Sequence, residues 1–207
     1  GTIRRGVKLT HNKSNRYRRT QRELRYLQHC QAEIRKRQHI ELANHLLALG
    51  DCFYVEDMAW PSLTHRAKET AISEKTGRKK RFGKSVANKA PATLIGILEQ
   101  KCNSLGLPGV MKVPTSLRAS QYNHQSGEYT SKPLSQRWNN MPDGERIQRD
   151  LYSAFLLQHY DPKAGNFDSA LLQQDYPQFV QYHHRAIQRL STVPKTLSSM
   201  GIQRSLR

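Results

Sequence analysis

The sequence predicts an α/β fold, and three observations carry that expectation. Residues 14–49 are rich in Arg, Gln, Glu and Leu and contain no Pro or Gly, which suits one long helix. Two short apolar segments, 52–56 and 110–113, have the aromatic and β-branched composition of strands. Between them lies a helical stretch, 92–105, that opens at Pro91 and closes at Gly106 and Pro108. Helix, strand, helix, strand over residues 14–113 is a βαβ unit behind a helix, so the spacing predicts a parallel strand pair with a right-handed crossover.

Taken in order, residues 1–13 read as irregular and basic. The long helix places Leu24, Leu27, Ile34, Leu42, Leu46 and Leu49 at three- and four-residue multiples, which makes one apolar face. Arg16, Arg18, Arg19, Arg22, Arg25, Arg35, Lys36 and Arg37 crowd the rest. Acidic residues are too few to pair with them along the helix, so the pattern favours a helix laid along a nucleic-acid backbone. Gly50 reads as its C-cap. The strand Cys52-Phe53-Tyr54-Val55-Glu56 ends on a carboxylate, and in open α/β sheets sites form at the carboxyl ends of strands. Residues 61–90 read as a mobile basic loop that contains Arg78, Lys79, Lys80 and Arg81.

Residues 114–147 read as an irregular insertion, with Tyr122, Tyr129 and Trp138 interleaved with Arg118, Lys132 and Arg137. Residues 148–160 are helical in pattern. Asp150 falls in the first turn, where an acid suits the helix dipole. Residues 161–165 break that helix. Residues 168–190 read as helical, in two pieces around Pro177, and 191–207 as a loose tail. His183 and His184 are adjacent, so on a helix they diverge and do not make a joint metal site.

The 207 residues carry 34 Lys and Arg against 16 Asp and Glu, a formal charge of +18. No run of about 18 apolar residues is present, which excludes a membrane-spanning helix, and no apolar stretch follows a basic N-terminus to make a secretory signal. Cys30, Cys52 and Cys102 lie too far apart for a C-x-x-C zinc knuckle or a dense disulfide frame, and a reduced, intracellular setting is the default expectation. So large a positive excess favours a polyanion, most often nucleic acid, over a membrane. The charge is also uneven. Twelve basic and three acidic residues occupy 1–50, and nine basic and two acidic occupy 66–89. Asp51, Glu56 and Asp57 lie between the two blocks. Carboxylates there can hold a hard cation while flanking Lys and Arg hold phosphates. No P-loop, H-E-x-x-H or G-x-S-x-G motif is present.

Three stretches then carry a resemblance. They are the long basic helix running into Phe53-Tyr54-Val55-Glu56-Asp57-Met58; Val113-Pro114-Thr115-Ser116-Leu117-Arg118-Ala119-Ser120-Gln121; and Lys132-Pro133-Leu134-Ser135-Gln136-Arg137-Trp138 followed by Gln148-Arg149-Asp150-Leu151-Tyr152-Ser153-Ala154-Phe155-Leu156. In order and spacing, over residues 14–160, they resemble the C-terminal half of the TnpB (OrfB) family of insertion-sequence, transposase-associated proteins, relatives of the type V CRISPR effector nucleases. The resemblance implies a partial RNase H-like (RuvC-like) domain over residues 1–160, with 61–90 as a basic loop and 114–147 as a degenerate zinc-ribbon-like insertion. Residues 161–207 would be a helical C-terminal extension. It implies an RNA-guided DNA endonuclease in which carboxylates hold Mg²⁺. The second-motif glutamate maps onto Glu56 and the third-motif aspartate onto Asp150, while Asp57 is assigned a structural or capping role. Guide RNA and target DNA are the implied partners, and the implied setting is the cytoplasm of a prokaryote. For nucleic-acid contact the candidates are Arg16, Arg18, Arg19, Arg22 and Arg25, then Arg78, Lys79, Lys80 and Arg81.

The sequence departs from that family's pattern. The first catalytic aspartate has no counterpart in residues 1–50, which contain no Asp. The expectation is a fragment, a fold completed by another chain, or a degenerate protein. The zinc-ribbon cysteines are absent at Ser120-Gln121-Tyr122-Asn123-His124 and at Asn139-Asn140-Met141-Pro142-Asp143, so no zinc is expected, and His124 reads as a surface residue. Tyr152 stands where the family commonly has Asn. Two alternatives accompany the nuclease: a nuclease-dead RNA-guided DNA-binding protein, and a basic structural RNA-binding protein.

Overall fold

The computed structural model describes residues 13–64, 82–133, 135–192 and 200–202. The elements run α1 (Asn15–Leu47), β1 (Cys52–Glu56), α2 (Trp60–Thr64), α3 (Phe82–Lys89), α4 (Pro91–Leu105) and β2 (Gly109–Val113). A 3₁₀ turn (Thr115–Leu117) precedes β3 (Tyr122–Asn123), β4 (Glu128–Tyr129), β5 (Trp138–Asn140) and β6 (Arg146–Gln148). The chain ends with α5 (Arg149–Gln158), β7 (Tyr160–Asp161), β8 (Asn166–Phe167) and α6 (Ser169–Ser191). The fold is mixed α/β. The described residues fall into two compact units: one holds α1, α3 and most of α4, the other both parallel strands and everything from Cys102 onward.

In the first unit, α1 begins where Ser14 Oγ accepts the Tyr17 N–H at 3.2 Å, an N-cap of the expected residue type. Its end corrects the sequence reading. Ala48 is the cap, donating to Asn44 O, and Gly50 does not take a left-handed φ. Thirty-three residues at 1.5 Å make a rod of about 50 Å. Ala43 is its only buried residue among those described. Leu24, Leu27 and Ile34 are 54%, 59% and 57% exposed, so the apolar face read from the sequence is exposed there. The expected loop over 61–90 is partly helical: α2 and α3 occupy its two ends, and residues 65–81 lie outside those described.

In the second unit, β1 and β2 pair in parallel, Cys52 opposite Gly109 through Glu56 opposite Val113, and Asp57 N–H extends the ladder to Val113 O at 2.9 Å. The stretch 114–147 is not irregular. It holds the antiparallel hairpins β3–β4 and β5–β6, and a third hairpin, β7–β8, fills the break after α5. The β5–β6 turn, Met-Pro-Asp-Gly-Glu, closes with Glu145 O accepting the Met141 N–H, and Gly144 takes φ +87° there. The core gathers around α5: Tyr152, Phe155 and Leu156 meet Ala119, Met141, Ile147, Phe167, Leu172 and Tyr176. Leu172 and Tyr176 belong to α6, which packs on α5 and runs as one helix through Pro177 rather than two pieces. Asp168 caps it, its Oδ1 accepting the N–H of Ala170 and Leu171. The tail is not loose at 200–202. Ile202 is buried, Trp138 Nε1 donates to Gly201 O, and Gln148 Nε2 donates to Met200 O. Among the described residues no helix is long and apolar enough to cross a membrane.

Candidate functional site

The first candidate carboxylate, Glu56, is half-buried at the carboxyl end of β1, where the chain turns so that Met58 N–H reaches Glu56 O at 2.8 Å. Asp57 follows it, exposed, with its backbone committed to the ladder. The second, Asp150, stands in the first turn of α5, and α5 packs against β1. Both carboxylates therefore belong to one packed strand–helix pair inside the second unit.

Asp150 is set in place by its two predecessors. Gln148, fully buried, is the N-cap of α5. Its Oε1 accepts the Leu151 N–H at 2.8 Å, and its Nε2 donates to Asp150 Oδ2 at 3.2 Å. Its own N–H donates to Nε2 of buried His183 at 3.0 Å. Arg149 has a buried side chain. Its Nε lies 3.6 Å from Asp150 Oδ1, an ion-pair separation longer than a hydrogen bond, and Nη1 donates to Pro133 O. The carboxylate nevertheless stays 49% exposed, open to a ligand. Sequence reading missed the positioning roles of Gln148 and Arg149, because Gln is not a favoured N-cap and its partners are brought close only by folding.

Glu56 and Asp150 supply hard oxygen donors of the kind magnesium takes. Among the described residues no three His, Cys, Asp or Glu side chains gather to hold a metal ion.

The insertion corrects another expectation. His124 is a buried residue. Tyr152 OH accepts the His124 N–H at 3.0 Å and lies 2.7 Å from its Nδ1, so one hydroxyl ties hairpin β3–β4 to α5. Burial pushes the His124 pKa down and the Tyr152 pKa up. Tyr122 stacks on Phe167, with ring centroids 5.4 Å apart, inside the protein. His183 and His184 diverge as read: His183 is buried, and exposed His184 meets Glu145 at 3.0 Å.

The basic candidates sit in the first unit. Arg16, Arg18, Arg22 and Arg25 are exposed on α1 without a carboxylate partner among the described residues, and Arg19 pairs with Glu23 at 3.3 Å. Further along α1, a groove of about 390 Å³ against α3 is lined by Ile34, Arg35, His39 and Lys89. Arg78, Lys79, Lys80 and Arg81 lie outside the described residues. The three cysteines are free. No protein-family model matches the chain, and no curated protein matches it.

Proposed function

We propose that this chain is the RuvC-like, RNase H-like portion of a TnpB-like, RNA-guided DNA endonuclease that hydrolyses phosphodiesters with Mg²⁺ in a prokaryotic cytoplasm. One observation carries the reading: a carboxylate at the carboxyl end of a parallel strand and a second in the first turn of the helix packed on that strand. The basic helix α1 and the motif order support it.

Glu56 and Asp150 would hold the metal, with a further carboxylate from outside the described residues. Bound magnesium supplies charge stabilisation at the attacking and leaving oxygens of the phosphodiester. Gln148 and Arg149 fix the rotamer of Asp150 before any ligand arrives, which lowers the cost of ordering it. The arginines of α1 hold backbone phosphates without reading bases, as suits a protein whose sequence choice is made by RNA pairing.

The natural protein, purified with its RNA, tests this on labelled DNA in Mg²⁺. Glu56→Gln and Asp150→Asn are each expected to lower cleavage by about a thousandfold or more, since a metal-site contribution is several kcal/mol. RNA binding should be unchanged. Cleavage indifferent to both substitutions would overturn the assignment. RNA-directed DNA binding without cleavage would select the nuclease-dead reading.

A further inference from the structure

In the second unit, hairpin β5–β6, the C-terminal part of α6 and the segment at 200–202 enclose an open groove of about 480 Å³. Its floor is fixed. Trp138 Nε1 donates to Gly201 O at 3.0 Å, and Gly201 sits so close to the hairpin that a Cβ there would come within 2.7 Å of Arg137 Cβ. Ile187 and buried Ile202 add apolar surface. Two arginines line this groove. Arg146 lies over the Trp138 ring, 5.0 Å from its centroid, and Arg137 stands beside it. Neither pairs with a carboxylate among the described residues, and no acidic side chain lines the groove.

We infer that this groove binds one nucleotide unit of a single-stranded nucleic acid, its phosphate on Arg137 and Arg146 and its base against the Arg146–Trp138 stack and Ile187. The inference rests on the proposed nucleic-acid function but not on catalysis. Two arginines with no acidic side chain among the described lining residues suit an anion. The flat stacked pair and the aliphatic wall suit an anion that carries a planar, apolar body, and a nucleotide has both. Holding the guanidinium over the indole before binding removes rotamer freedom that a lone surface arginine would have to lose. The volume lies in the range of small-ligand pockets.

Tryptophan fluorescence tests it in the full chain carrying Trp60→Phe, without Mg²⁺, so that Trp138 is the reporter. Three probes are titrated: a ten-nucleotide oligouridylate, adenosine monophosphate, and inorganic phosphate. Expected is quenching by the oligonucleotide and the mononucleotide at concentrations where phosphate gives none. Arg137→Ala and Arg146→Ala should each weaken binding roughly tenfold. Lys163→Ala, which removes the same charge from an exposed turn elsewhere, should leave it unchanged. Ile187→Glu should abolish it, with circular dichroism confirming the fold. A stronger response to the oligonucleotide than to the mononucleotide assigns the site to a polynucleotide, whereas equal responses assign it to a free nucleotide and overturn a single-stranded nucleic acid as its ligand. Phosphate matching the mononucleotide, or Lys163→Ala weakening binding as much as Arg146→Ala, would overturn it. Because no metal is present, a silent groove leaves the cleavage experiment untouched, and a dead nuclease leaves the groove intact.

Discussion

Gln148 concentrates much of the second unit's order in one side chain. It caps α5, bonds Asp150, anchors Met200 and receives His183 against its backbone, all without exposure to solvent. Gln148→Ala should cost about 1–3 kcal/mol, because it removes a cap and leaves buried partners unpaired. Gln178→Ala, on the exposed face of α6, should stay within about 0.5 kcal/mol; urea denaturation compares the two. His183 also sets a pH dependence. Its Nε2 accepts the Gln148 N–H, so the ring proton sits on Nδ1, which is buried without a partner among the described residues. Burial lowers the pKa of His183, as it does that of His124. In the unfolded chain both titrate near 6.5, so the stability gained by keeping them neutral is complete above about pH 6.5 and is lost as pH falls toward their folded pKa values. The urea midpoint should therefore drop from pH 7.5 to 5.0, and less steeply in His183→Gln, whose amide oxygen can accept the same N–H without titrating. These roles were not legible in the sequence. Glu56 and Asp150 could be picked out by residue type and motif, whereas Gln148, His124 and Tyr152 act through partners brought close only by folding.

At the scale of elements, the long ones were legible and the short ones were not. Ser14, Pro91 and the apolar–β-branched runs mark α1, α4, β1 and β2, because propensity and capping act locally. Two- and three-residue strands carry no period to read. Hairpins β3–β4 and β5–β6 are held by His124–Tyr152, Tyr122–Phe167 and Trp138–Gly201, which join residues distant in the chain. The end of α1 shows the limit of a local signal: a glycine near a helix end need not be its cap. The helix itself makes a quantitative prediction. Replacing Arg16, Arg18, Arg22 and Arg25 together by Ala should weaken RNA binding uniformly across sequences. The slope of log affinity against log salt should flatten by about 0.7 for each phosphate that is no longer neutralised. An unchanged slope would show that α1 does not touch the backbone.

At the scale of the molecule, the second unit is organised around α5 rather than around a broad sheet. One face of α5 puts Tyr152, Phe155 and Leu156 into the core, and its first turn leaves Asp150 exposed. Leu156→Ala, at a fully buried position, should cost about 2–5 kcal/mol in urea denaturation and disturb hairpin β3–β4 with α5. The α/β class and the parallel pair were readable because they follow from a four-element order. The core was not, because its residues come from hairpins that the sequence reads as an insertion and from a helix it reads as an appendage. The central claim is that the carboxylates at the end of β1 and the start of α5 serve one metal. Paramagnetic broadening of the ¹⁵N-labelled chain by substoichiometric Mn²⁺ tests it directly. The prediction is that the amide signals of Glu56 and Asp150 broaden together, and that Glu56→Gln abolishes the broadening at Asp150. Broadening at either position without the other, or at Asp150 unaffected by Glu56→Gln, would contradict it.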